Sequence, residues 1–416
     1  MRARARRAPR RRSARLGGQV QHRLGERADA VIREAVQFPV HDPISLIAAL
    51  SGHTDRIGLV VTASTTAQQP LLNARTFTTL DHLTAGRVGW NIVTSDNQHA
   101  LVRLLGIDHV TPHDERYARA TEFVELELAL WEGAWDDGAV LADKATKTFA
   151  DPAKVHRIRH DGRYFRFDGF YPATPSPQRT PTLFQAGTSA AGVRFASTYA
   201  ECVFTQDREG ERMAATVARI RAAAVDAGRP ADSVKILNGA SFVIADTEAE
   251  AARIRDELNH TPTREAAAAL FMGWSGVDLG RLDADATLDD VSTEVGQTMV
   301  SMWRNPDGTS PTVGEVLDSL PSTIGGIKIT GTATSVADQV ERLVGATDID
   351  GFLVENWYGG IEGYREFIDL LMPELRSRGM LPEQPRRGTL REMLTGTPTP
   401  SLPEWHPGVR HRGAYG

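Results

Sequence analysis

Two short groups of residues in this chain have the types and spacing to hold an anion. Gln185-Ala186-Gly187-Thr188-Ser189 stands where the apolar run Leu183-Phe184 gives way to a helical pattern. Backbone N–H groups and hydroxyls at a helix N-terminus attract phosphate, and glycine lets the anion approach the backbone. Ordinary helix capping by Thr188 or Ser189 is the plainer reading of the same residues. His113 and Tyr117 stand four apart behind Thr111-Pro112. They share a face at the positive end of a helix, with Thr111 as the expected hydroxyl cap. Taken by spacing alone, they are a helix-start histidine and a packing tyrosine. Asn91, Thr94 and Ser95 form a polar cluster at the end of the apolar run from Val88, and Thr62 ends the run Ile57–Val61. In a (β/α) barrel, strand carboxyl ends are where chemistry is done.

Alternating strands and helices must position these residues. Apolar runs predict seven strands, near 57–61, 88–94, 182–187, 202–205, 234–245, 327–330 and 351–355. Helical patterns separate them, the first of them over residues 28–36 and 44–54. Ala85-Gly86 ends the helix that precedes the Trp90 strand. Residues 134–181 read as an irregular insertion with one small hairpin at Tyr164–Phe167, and residues 261–322 as a second insertion. The rhythm predicts an α/β fold with a parallel sheet. A doubly wound sheet is the alternative, but no G-x-G-x-x-G follows any strand, and polar residues recur at several strand ends. That favours a TIM-type (β/α)8 barrel with insertions.

Composition narrows the function. Hydrophobic residues at 41% and charged residues at 24% are those of an ordinary soluble domain. No run approaches the roughly 20 apolar residues that a membrane span needs. The lone Cys202 rules out an intrachain disulfide and fits a reducing cytoplasm, and no Cys/His cluster has metal-ligand spacing. The net charge of −6 conceals eight arginines within residues 1–16, so the remaining 400 residues carry −14. An acidic body argues against nucleic-acid binding.

The stretch LDHLTAGRVGWNIVTS (80–95) resembles the signature of the flavin-dependent monooxygenases of the bacterial-luciferase superfamily. The nearest group is that of the nitrilotriacetate, dibenzothiophene-sulfone and long-chain-alkane monooxygenases. Ordered matches continue through REAVQFPVHDP (33–43), HDERY (113–117), DPAKVHRIRHDGRYF (151–165), QAGTS (185–189), DGFLV (350–354) and TLREML (389–394). The resemblance implies a barrel over residues 28–395, with a tail at 396–416. It also implies reduced FMN, delivered by a separate NAD(P)H-dependent flavin reductase. With O2 this gives a C4a-(hydro)peroxyflavin that oxygenates a small organic substrate. Carried over from the family, Ser189, Thr188, His113 and Tyr117 hold the FMN phosphate side, and Thr62 touches the flavin. Asn91 and Gln37 are pocket residues, and Gln37 reads equally well as polar loop. Asp96 departs from relatives that carry histidine there. A cytoplasmic homo-oligomer is the family expectation. A barrel wants eight strands, so residues 1–27 are expected to replace a true first βα unit. A deazaflavin-dependent oxidoreductase and a degenerate, non-catalytic flavin binder are the alternatives.

Overall fold

Short runs of Val, Ile and Leu, buried on alternate or all positions, build one parallel sheet. The fold is that of a computed structural model, which describes residues 29, 31–37, 39–94, 106, 111–275, 277–288, 303, 309–323, 326–355 and 360–416. The arginine-rich head, Ser95 and Asp96 lie outside the described residues. The chain divides into two compact units, Met1–His41 with His260–Ser322, and Asp42–Asn259 with Thr323–Gly416.

The larger unit opens with helix α1 (Pro43–Leu50), capped by Asp42. It continues β1 (Leu59–Ser64), α2 (Pro70–Leu83), β2 (Val88–Val93) and α3 (His113–Leu128). Two antiparallel hairpins follow, β3 (Val140–Asp143) with β4 (Thr148–Ala150), and β5 (Arg157–Asp161) with β6 (Arg166–Phe170). The strand–helix alternation then resumes: β7 (Thr182–Gln185), α4 (Ala190–Tyr199), β8 (Cys202–Thr205), α5 (Gly210–Asp226), β9 (Lys235–Ile244) and α6 (Glu248–His260). In the smaller unit α7 (Arg264–Ser275) and α8 (Val313–Thr323) pack around Phe271, Leu279, Val316 and Leu320. The larger unit ends with β10 (Ile327–Gly331), α9 (Ala333–Thr347), β11 (Gly351–Val354), α10 (Gly360–Glu366), α11 (Met372–Ser377) and α12 (Leu390–Thr395).

The seven-stranded sheet has the order β1-β2-β7-β8-β9-β10, with β11 on β9, and its pairings are parallel. This is the sheet of a TIM-type barrel; among the described residues no pairing joins β11 to β1. Its outer face packs on helices through Phe77, Trp90, Phe123 and Trp131 on one flank, and through Phe242 and Val340 on the other. On the inner side, Leu390 of α12 packs with Phe184 and Cys202. A side chain at Gly89 would lie 2.7 Å from Phe184 and 2.9 Å from Leu390, so only glycine fits below that plug. Among the described residues no helix is long and apolar enough to cross a membrane, and no group of three or more His, Cys, Asp or Glu could hold a metal.

Four local expectations need correction. Residues 134–181 hold two hairpins rather than one: β5–β6 is the one expected around Tyr164–Phe167, pinned to α3 by Glu122, and β3–β4 precedes it. The Glu122 carboxylate accepts the backbone N–H groups of Tyr164 and Phe165 at 3.0 and 2.7 Å. Thr111 does not cap α3: Pro112 is its N-cap and makes no side-chain bond. The helix expected over 28–36 is shorter, since Ala35 and Gln37 turn to φ 53° and 49°. The end of α2 is a Schellman motif whose left-handed C′ residue is Ala85 (φ 51°), not Gly86 alone. Gly86 N–H donates to Asp81 O at 2.9 Å and Ala85 N–H to His82 O at 3.2 Å. Alanine is strained there, so Ala85→Gly should raise stability by about 0.5–1 kcal/mol. A thermal unfolding midpoint that falls in this variant would contradict the assignment.

One acid lies deep in the helical layer. Glu127 is fully buried and accepts from Asn73 Nδ2 at 2.9 Å. Its Oε2 and Asn73 Oδ1 are buried without a hydrogen-bond partner among the described residues. Burial raises its pKa well above the ordinary 4.5, and the Asn73 hydrogen bond opposes this only in part. A carboxyl raised on folding contributes stability that is fully present below its unfolded pKa and is lost as pH rises through the folded one. Glu127→Gln should therefore gain on the parent chain as pH climbs above about 4.5. A pH-independent difference in urea midpoints would refute this.

Candidate functional site

The carboxyl ends of β1, β2 and β7 lie side by side, with Thr62 opposite Asn91 and Asn91 opposite Phe184. On β1, Leu59, Val61 and Ala63 are buried outward, which leaves Thr62 exposed on the inner face. Asn91 Nδ2 donates to Thr62 Oγ1 at 3.0 Å. Asn91 Oδ1 is buried and has no partner among the described residues, an acceptor that calls for an N–H donor. Around this pair the strand ends are stitched together: Thr66 Oγ1 donates to Thr94 O at 3.1 Å, and Trp90 Nε1 to Ala63 O at 3.0 Å.

The turn after β7 is built for close approach. Gly187 N–H donates to Gln185 Oε1 at 2.7 Å, and Ser189 caps α4 by accepting from Gly192 N–H at 3.1 Å. Tyr117, one turn into α3, sets its Oη against both glycines. A Cβ at Gly187 would lie 2.6 Å from that oxygen and one at Gly192 2.9 Å, closer than side chains pack. The Tyr117 ring is held by Phe195 of α4 at a centroid distance of 5.8 Å. Arg219 of α5 donates to Thr188 O at 3.1 Å and brings a positive charge to the turn.

The structure thus joins Tyr117 to Gly187, Thr188 and Ser189, and Asn91 to Thr62. His113 opens α3, one turn before Tyr117. Gln37 lies in the smaller unit, exposed in a turn. Asp96 lies outside the described residues. Sequence reasoning missed Arg219, because an arginine on an amphipathic helix carries no signal of what its far end reaches.

Residues 28–348 match the family described as luciferase-like monooxygenase, over more than half of the chain. The chain belongs to the luciferase-like monooxygenase family. It is a flavin-dependent monooxygenase, an oxidoreductase. This monooxygenase is 38% identical over 393 residues to the dimethyl-sulfide monooxygenase of Hyphomicrobium sulfonivorans, covering 93% of this chain and 81% of that protein. It is 37% identical over 387 residues to the long-chain alkane monooxygenase of Geobacillus thermodenitrificans, covering 92% and 83%. A solved riboflavin lyase, holding modified FMN and riboflavin, superposes with a TM-score of 0.87 at 39% identity, over 92% of this chain and 84% of that one.

Proposed function

We propose that this monooxygenase is the oxygenating component of a two-component system. It takes reduced FMN from a separate NAD(P)H-dependent flavin reductase and uses O2 to oxygenate a small organic substrate. The observation that carries this reading is the convergence of Tyr117 with the Gly187–Ser189 turn beside the Thr62–Asn91 pair. One relative, 33% identical over 360 residues, is component A of nitrilotriacetate monooxygenase from Aminobacter aminovorans, a name that implies a second component.

The residues fit FMN. Two glycines that admit no side chain, three hydroxyls and the amino end of α4 make a phosphate cradle, with Arg219 balancing its charge. Ser189, Thr188 and Tyr117 would hold the phosphate, with His113 at the start of α3 beside them. Thr62 and Asn91 would face the ring, where the Asn91 oxygen, without a partner among the described residues, would accept an N–H. Bound reduced flavin supplies the electrons that activate O2. The protein's part is to orient the ring by the phosphate, and to keep water from the reacting face by the apolar floor of Phe184, Phe204 and Leu390.

Calorimetric titration of anaerobic reduced FMN into the full chain tests this. One saturable site per chain should appear and be lost in a Ser189→Ala/His113→Ala double variant. A folded chain that binds no reduced FMN, or prefers a deazaflavin, would overturn the proposal.

A further inference from the structure

A second polar group lies on the inner face of the sheet, away from the phosphate turn. Parallel register puts Lys328 opposite Ser241, and Thr330 stands two residues on, so all three share one face. The opposite face, with Ile329, Ala240 and Phe242, packs against Val336 and Val340 of α9 and Leu375 of α11. Lys328, Ser241 and Thr330 therefore point inward. Arg255 of α6 comes over them and is fixed there. Its Nε donates to Thr330 Oγ1 at 2.9 Å, Nη1 to Ser241 Oγ at 3.0 Å and Nη2 to Ser241 O at 2.8 Å. Arg208 follows the end of β8, and Glu355 the end of β11, where Gln206 Nε2 donates to the Glu355 carboxylate.

These charges feel one another. Burial, with Arg255 and Arg208 adding to it against the pull of Glu355, brings Lys328 from 10.5 down to about 8. Burial likewise lowers Arg255 to about 10, and lowers Arg208. Among the described residues, Lys328 thus feels Arg255, Arg208 and the Glu355 carboxylate, beside the carboxyl ends of β8 and β11, the face on which barrel enzymes bind their substrates. Half-buried like charges are costly, and an anion placed among them offsets both the repulsion and the lost hydration. An alkane or a sulfide does neither.

We infer that Lys328, Arg255 and Arg208 form a subsite for an anionic group of the substrate, a carboxylate or a sulfonate; this rests on the oxygenase function proposed above. Arg255 presents a guanidinium already fixed by two hydroxyls, and Lys328 adds a second charge on the same face. Glu355 limits the excess, so the subsite takes a small organic acid rather than a polyphosphate.

The test is protection of Lys328 from acetylation in the full chain near neutral pH, read by peptide mass spectrometry. Succinate and methanesulfonate are the anionic probes, and dimethyl sulfone is the neutral one of similar shape. Both anions should slow acetylation by about tenfold, the effect of one charge-assisted hydrogen bond, and the sulfone should not. Protection should vanish in Arg255→Gln. Calorimetric titration of succinate gives a readout without labelling: Lys328→Met should bind it about tenfold more weakly. Equal protection by the sulfone, no protection by either anion, or unchanged succinate binding in Lys328→Met would overturn the subsite. So would full protection by reduced FMN alone with nothing added by the anions, since the charges would then serve the flavin. Reduced-FMN binding is titrated on the same preparations. Its loss with anion protection intact counts against the oxygenase function and leaves the subsite standing.

Discussion

Arg391→Ala is expected to destabilise the chain by about 3–5 kcal/mol. Arg391 and Glu201 form an ion pair with side-chain exposures of 0% and 1%. Arg391 Nε donates to Glu201 Oε1 at 2.6 Å and Nη2 to Oε2 at 2.9 Å. Its remaining donors reach Thr180 O at 3.0 Å and the carbonyls of Gln178 and Pro400. Glu201 also accepts Leu183 N–H at 3.1 Å, so the pair ties α12 to the start of β7. Burial by itself would raise the Glu201 carboxyl; the Arg391 charge and its hydrogen bonds outweigh that and hold it below the ordinary value. Alanine at 391 leaves that carboxylate buried and unpaired, and frees Leu390 from the floor of the sheet. Urea unfolding should show the loss as a lower midpoint with an unchanged slope. An Arg391→Met/Glu201→Met double variant should recover most of it, because the unpaired charge is gone. A loss under about 1 kcal/mol in the single variant would mean that the pair is dispensable.

Gly187→Val should abolish useful cofactor binding while the fold survives. The branched side chain must enter space held by Tyr117 Oη and by Gly192, whose Cα lies 3.2 Å from the Gly187 Cβ position. Either Tyr117 leaves the turn or the turn opens, and the N–H groups of α4 lose their common aim in both cases. The dissociation constant for reduced FMN should rise by about 100-fold or more, the equivalent of two or three lost hydrogen bonds to a charged group. Calorimetry gives the constant, and far-ultraviolet circular dichroism checks that the helices remain. An unchanged constant in a folded variant would move the phosphate away from this turn.

Much of the architecture was legible from residues 57–61, 88–94 and 182–187, where short apolar runs end in polar residues. Strand and helix periods are local, and a turn such as Gln185–Ser189 carries its glycine and its cap within five residues of one another. Local pattern misled where two local solutions compete. Thr111 offered a hydroxyl cap, but the helix begins behind Pro112, and Ala85 took a left-handed turn that a sequence reader assigns to Gly86. The hairpin around Tyr164 was legible, whereas β3–β4 was hidden because its strands are short, largely exposed and without an apolar alternation.

The sequence by itself determined the parallel α/β scaffold, the phosphate-turn motif and the family resemblance, because each is written in contiguous residues with a period or a fixed spacing. Only the tertiary structure decided which distant residues meet. It set Tyr117 against Gly187 and Gly192, and Arg391 against Glu201 across 190 residues. It also set Arg255 over Ser241 and Thr330, the latter 75 residues away. The physical reason is that a side chain's partner depends on strand order and register. Those are fixed by the burial of the whole sheet, not by any property of the two residues that finally touch.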